Sequence, residues 1–276
     1  MYKIPSLFAS YLVIIETTIR EAMRKRLLIV ILFITALFLL MNITCSSTIC
    51  SINGEQQKTN QMLDEFFFFF LVTFWNFGIA EQITSSLVTE ELENKNYLIF
   101  LSKPISKLNY YIGKSLGIIV IILVNTLLIY TVYSISTMIR IGSFNPNLWK
   151  AVIPMILGFI ELVSIVVFLS LIINKTGAVM LSSAFVIIVM ILNGMFYEPK
   201  IEEAIVQQGF SLSAGEVMYW VLPQLGTLYY YCSSLFQKEL TQAHFLGEYS
   251  MIQVSIWIVL TWIGIWRYLE QKEFEG

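Results

Sequence analysis

The sequence predicts an all-α membrane protein of one domain: an N-terminal helix in the membrane interface, six transmembrane helices, and a helical external segment between the fifth and sixth. Three observations carry this. Hydrophobic residues make up 57% of the 276-residue chain and charged residues 13%, against about a quarter charged in ordinary soluble domains. The apolar residues gather in runs of about twenty, the length that crosses a bilayer core. Lys and Arg fall unevenly between alternate loops, as they do in inserted proteins.

The elements follow in order. Residues 8–26 form an amphipathic helix whose apolar stripe is expected at Phe8, Leu12, Ile15, Ile19, Ala22 and Met23, the three- and four-residue spacing of one helical face. Glu16 with Arg20 and Glu21 with Lys25 are i,i+4 pairs in the favourable acid-first order. Arg24-Lys25-Arg26 then abuts the first apolar run, so the helix is expected to lie in the interface. It is too far from the N-terminus, and the run after it too long, for a cleaved signal peptide. The spans are expected at 27–47, 65–88, 110–139, 149–173, 177–196 and 249–268. Trp149, Tyr197, Trp266 and Tyr268 mark run ends, where aromatic rings favour the interface.

Six spans place both ends on one side. With the ends inside, Lys3, Arg20, Arg24, Lys25, Arg26, Lys95, Lys103, Lys107, Lys114, Lys175, Arg267 and Lys272 are cytoplasmic. Lys58, Arg140, Lys150, Lys200 and Lys238 are external, which is the direction of the positive-inside rule. Both termini are therefore expected in the cytoplasm. Residues 197–248 form the external segment, with Ile201–Phe210 as a short helix. Val217–Phe236 is apolar enough to imitate a seventh span, but Pro223, Gln224 and Gly226 interrupt it, favouring a shallow or re-entrant helix.

Composition also excludes functions. A net charge of −2 gives no electrostatic basis for nucleic acid. A single histidine, His244, excludes a His-based metal cage within one chain. A single aspartate, Asp64, excludes the paired-aspartate Mg²⁺–diphosphate sites of membrane transferases. Acid–base or metal chemistry would rest on glutamates alone, so the chain is not expected to be an enzyme or to hold a cofactor or metal. Cys45, Cys50 and Cys232 form no zinc motif; pairing of the first two and plain packing both remain open.

One cytoplasmic loop, 89–109, stands apart. It opens on Glu90, Glu91 and Glu93, runs through Leu92, Tyr97, Leu98 and Leu101, and stops at Pro104, after which Ser106 is placed to cap the next helix. A twelve-residue helix is marginal alone in water, so the piece is expected to dock on a partner. The run Glu90–Gly117 resembles the signature loop of ABC-2 type permeases, the membrane subunits of one class of ABC transporter. That family shows an acidic pair, a short helix, an L-S-x-P-[IV]-S-[RK] turn and a G-K opening the third span. Leu101-Ser102-Lys103-Pro104-Ile105-Ser106-Lys107 and Gly113-Lys114 match it. The N-terminal helix resembles the family's elbow helix, and six spans is its usual count. The nearest likeness is to the branch that includes permeases for copper-enzyme maturation. Asn94-Lys95-Asn96 departs from the commoner Glu-x-Gly-Thr form, and the resemblance implies no particular substrate.

The resemblance implies a permease half in the bacterial cytoplasmic (inner) membrane. It would pair with a second copy or a related chain and with two ATPase subunits, which bind the ATP and Mg²⁺. Glu90, Glu91, Glu93, Tyr97, Leu101, Lys103 and Pro104 would form the coupling helix against the ATPase. Gly113-Lys114-Ser115 imitates the end of a phosphate-binding loop, but Leu108 stands where that motif needs Gly, and no strand precedes it.

Polar residues at depth are the remaining candidates: Glu161 in span four, Glu81 and Asn76 in span two, Asn125 in span three and Asn193 in span five. A charge at mid-bilayer costs about 2.5–3.5 kcal/mol on insertion scales. For Glu161, a place on the transport pathway or dimer interface and an interhelical hydrogen bond weigh equally. For the asparagines packing is favoured, and Glu81 is expected to reach the cytoplasmic interface. Two alternatives stay open: an ion-coupled secondary transporter using Glu161 and Glu81, and a module driving an external protein through 197–248.

Overall fold

The computed structural model describes residues 7–24, 33, 35–36, 54–93, 106–141, 146–196, 214–235 and 244–271. All secondary structure among them is helical: α1 (Leu7–Arg24), α2 (Gly54–Glu93), α3 (Lys107–Ile141), α4 (Asn147–Lys150), α5 (Val152–Ile172), α6 (Lys175–Phe196), α7 (Ala214–Val221), α8 (Leu225–Ser234) and α9 (His244–Gln271). Four stretches are long and apolar enough to cross a membrane: Lys107–Ile139, Asn147–Ile172, Lys175–Asn193 and Tyr249–Gln271. They coincide within a few residues with four of the expected spans. The expected first span lies, apart from residues 33, 35 and 36, outside the described residues, as do Cys45, Cys50 and Ile201–Phe210.

Helix α5 is the hub, packed against α2, α3, α4, α6, α8 and α9. Its sequence is apolar on every face, which suits a helix with neighbours all round. Pro154 sits in its first turn, where the missing N–H would have had no intrahelical partner. The outer surface is apolar as well: Ile139, Ile153 and Met180 are among the most exposed side chains, as expected of faces against lipid tails.

Two expectations need correction. The segment 65–88 is part of one unbroken 40-residue helix, α2, about 60 Å long at 1.5 Å per residue. No Gly or Pro interrupts it between Leu87 and Glu93, so Glu90, Glu91 and Glu93 form its last turn rather than a loop. Helix α1 packs against the protein through one side. Ile14, Thr18 and Ala22 are buried, while Leu12, Val13 and Met23 are about half exposed. Glu81, expected at the interface, is buried and receives a hydrogen bond from Ser183 Oγ of α6.

Other expectations meet their geometry. Ser106 caps α3: its Oγ accepts the backbone N–H of Asn109 at 3.2 Å. The apolar stretch around Pro223 is broken at 222–224 into α7 and α8, each too short to cross a bilayer alone. Within the Phe66–Phe70 run, Phe68 stacks on Tyr133 and Phe69 on Tyr229, so these rings are packing.

Candidate functional site

The most elaborate polar arrangement lies where α2 ends and α3 begins, at the two stems of segment 94–105. Gly113 and Gly117 are one turn apart on α3 and let α1 come close. A Cβ at Gly113 would meet the Ile14 side chain at 3.0 Å, and one at Gly117 would meet Thr18 Cβ at 2.8 Å. This is the small-xxx-small packing of membrane helices, in which missing side chains permit near-contact of backbones. Thr18 bonds its own hydroxyl back to Ile14 O at 2.8 Å. Tyr11 adds a second tie, donating its hydroxyl to Asn109 Oδ1 at 3.1 Å.

Between the two glycines, Lys114 turns toward α2. The residue is 1% exposed, and its ammonium lies 2.5 Å from Glu91 Oε1 and 3.6 Å from Glu21 Oε2 of α1. It also donates to the Leu87 carbonyl at 2.8 Å. Tyr110, one turn before Lys114, donates its hydroxyl to the same Glu91 oxygen at 2.7 Å. A lone buried charge would cost several kcal/mol, and only close opposite charges with further hydrogen bonds offset that. Here all of these are present.

Glu90 points the other way, to α6. Its Oε1 accepts Ser86 Oγ at 2.6 Å and lies 3.3 Å from Lys175 Nζ, which also contacts Ser86 Oγ at 3.1 Å. This pair is partly exposed and worth correspondingly less. Glu90 and Glu91 at the C-terminus of α2 and Lys175 at the N-terminus of α6 each oppose their own helix dipole. The charges of α2, α3 and α6 therefore stabilise one another across helices rather than along them. The Lys114–Glu91 group ties together α1, the end of α2 and the start of α3, and the Glu90–Lys175 pair ties the end of α2 to the start of α6.

Of the residues expected to meet a partner, Glu91 is thus held inside the chain and Glu90 is turned to Lys175. Glu93 ends α2. Tyr97, Leu101, Lys103 and Pro104 lie outside the described residues. The pathway candidates fall apart into separate places. Asn76 and Asn125 meet each other, Asn125 Nδ2 donating to Asn76 Oδ1 at 2.9 Å. Thr35 donates to Asn125 Oδ1 at 3.3 Å and Trp75 to Thr35 at 3.0 Å, so this is a packing network. Glu81 is bound to Ser183. Glu161 is fully buried in α5, and neither carboxylate oxygen has a hydrogen-bond partner among the described residues.

The residues missed from the sequence are Glu21, Tyr110 and Lys175. The Gly113-x-x-x-Gly117 spacing was a readable signal that something packs there; nothing in the spacing named Glu91 as the partner of Lys114. Elsewhere an almost wholly apolar groove of about 500 Å³ opens between α5, α6 and α9, against Phe168, Phe185 and Leu260; it suits hydrocarbon rather than chemistry. No protein-family model, curated protein or solved structure matches this chain.

Proposed function

We propose that the chain is the membrane-spanning permease subunit of an ABC-2 type transporter, set in the bacterial inner membrane with both termini cytoplasmic. α1 is then the elbow helix, α2 the second span, and 94–105 the coupling segment, engaged by a separate ATPase that binds ATP and Mg²⁺. The assembly holds two permease chains, identical or related, and two ATPase subunits. The observation that most supports this reading is that a buried cluster clamps both stems of 94–105 to each other and to α1, and that the partly exposed Glu90–Lys175 pair adds α6. A push on that segment is delivered to four helices as one body. Moving a two-state transporter from mostly inward to mostly outward takes about 5.5 kcal/mol of differential binding, which ATP binding and hydrolysis supply. The cargo is exported, or the work is passed to an external protein at 197–248.

The test is purification from native membrane together with the Pro104→Leu variant. An ATPase subunit is expected to co-purify, and its coupled transport to be lost in the variant while insertion and folding persist. Unchanged ATP-driven transport in Pro104→Leu, or an intact complex without any ATPase, would sink the reading. Charge reversal at Glu91 is a poorer test, because it sets a second cation against buried Lys114.

A second reading, an ion-coupled secondary transporter, draws on Glu161, whose unpartnered carboxylate has no packing explanation.

A further inference from the structure

The apolar groove between α5, α6 and α9 is walled by three of the stretches fit to cross a membrane. The polar atoms along it are engaged elsewhere. Thr261 returns its hydroxyl to the Trp257 carbonyl at 2.9 Å, and Trp257 gives its indole N–H to the Val221 carbonyl at 2.9 Å. Two small residues open the slot, Ala184 of α6 and Gly264 of α9. A Cβ at Gly264 would stand 3.6 Å from Phe168 of α5, so a single methyl already reaches the opposite wall. Leu181, Ile188 and Leu260 along the groove are about half exposed, which places it on the outer surface of the bundle.

A cation follows the groove at one end. Arg267 is three residues beyond Gly264 on α9, the next position on the stripe that carries Leu260 and Gly264. Its neighbour Tyr268 donates its hydroxyl to the Leu171 carbonyl at 2.9 Å, which holds this turn of α9 against the last turn of α5, just past Phe168 and Leu169. Arg267 is exposed, with its guanidinium carbon 5.3 Å from the Trp266 ring centroid. No ion pair among the described residues includes it, whereas Lys114 and Lys175 are matched by Glu91 and Glu90.

Depth gives the groove its meaning. Ten residues separate Trp257 from Arg267, about 15 Å along α9 at 1.5 Å per residue. That is the hydrocarbon depth of one leaflet, half of a core about 30 Å thick. Trp266 beside Arg267 suits the headgroup level, where aromatic rings gather. An unmatched positive charge at the mouth of a leaflet-deep apolar slot complements an anionic headgroup carrying an acyl chain. A second copy of the chain fits less well. A two-fold pair about the membrane normal would bring two Arg267 to the same depth. Helices that meet in a membrane favour small residues at the contact, and the exposed side chains here are Leu and Ile.

We propose that the groove between α5, α6 and α9 binds one anionic phospholipid of the surrounding bilayer, an acyl chain lying along Ala184 and Gly264 and the phosphate at Arg267. The site goes beyond the permease reading and does not depend on it.

The test is native mass spectrometry of the full chain released from bilayers of phosphatidylglycerol and phosphatidylcholine in equal amounts with matched acyl chains. The chain is expected to retain one phosphatidylglycerol, preferred about fivefold over phosphatidylcholine, the effect of one basic side chain near an anionic surface. Arg267→Gln is expected to abolish the preference and Arg267→Lys to keep it. Ala184→Leu fills the slot from an exposed position and is expected to lose the retained lipid with thermal unfolding unchanged. The proposal is overturned if the wild type retains both lipids alike or if the preference survives Arg267→Gln. It is equally overturned if Ala184→Leu retains lipid as the wild type does, or if Leu181→Cys cross-links two chains face to face with no lipid retained.

Discussion

Replacing Lys114 by Met tests whether the cluster at the stems of 94–105 holds the protein together. Lys114 is 1% exposed, so removing its ammonium leaves Glu91, 5% exposed, buried with the Tyr110 hydroxyl bonding its Oε1. Truncating one member of a buried pair costs about 3–5 kcal/mol. Glu91→Gln should cost less, about 1.5–3 kcal/mol, because an amide oxygen can still accept from the ammonium and Glu21 remains 3.6 Å away. Glu21→Gln should cost under about 1 kcal/mol, since the Glu21 side chain is 31% exposed and water screens the pair. The double variant Lys114→Met with Glu91→Leu removes both charges and should recover most of the loss. Tyr110→Phe in the Lys114→Met background then reads what remains of the hydroxyl's bond to Glu91. Equilibrium unfolding in mixed micelles, followed by tryptophan fluorescence, reads the whole series. If Lys114→Met lies within about 0.5 kcal/mol of wild type, the spread of ordinary surface substitutions, or if the double variant is no more stable than the single, the reasoning fails.

Gly117→Ala should destabilise the chain by about 1–3 kcal/mol and loosen α1, read as faster proteolysis there, because its Cβ meets Thr18 at 2.8 Å. Gly78→Ala, with nothing within 4 Å, should instead stabilise by about 0.5–1 kcal/mol; equal effects at the two glycines would contradict the packing described. Asn193→Ala should cost about 1–2 kcal/mol by uncapping α8, and Gly226→Ala should cost at least as much by driving into Asn193 at 2.6 Å. The two are expected to be non-additive in thermal unfolding, because each breaks the same bond. Asn76→Leu should cost about 1–2 kcal/mol by stranding Asn125, with much of it returned in Asn76→Leu/Asn125→Leu; additive losses would refute the pairing.

Much of the architecture was legible because the signals were local. The limits of α3, α5, α6 and α9 follow from runs of apolar residues, the start of α3 from Ser106 after Pro104, and the break before α8 from Pro223. The end of α2 was misplaced because charge was read as loop, although Glu and Leu are good helix formers and nothing between Leu87 and Glu93 stops a helix. The packed face of α1 was not legible in its own sequence. Both of its sides carry apolar residues, and in a bilayer lipid tails are as apolar as a protein interior. Hydrophobicity therefore cannot say which side meets protein. The small residues Gly113 and Gly117 decide it, by admitting Ile14 and Thr18.

By itself the sequence determined an all-helical chain with stretches fit to cross a membrane, one interrupted apolar segment, and a short list of polar residues at depth. Composition, run length and Gly/Pro placement act within a few turns of chain and need no partner to be read. Which carboxylate is matched and which is not was decided only by the tertiary structure. Glu91 and Lys114 are 23 positions apart and become a buried pair because α2, α3 and α1 converge. Glu161 is fully buried in α5 with neither oxygen bonded among the described residues. Burial and pairing are properties of the packed bundle, and a charge's energy depends on both.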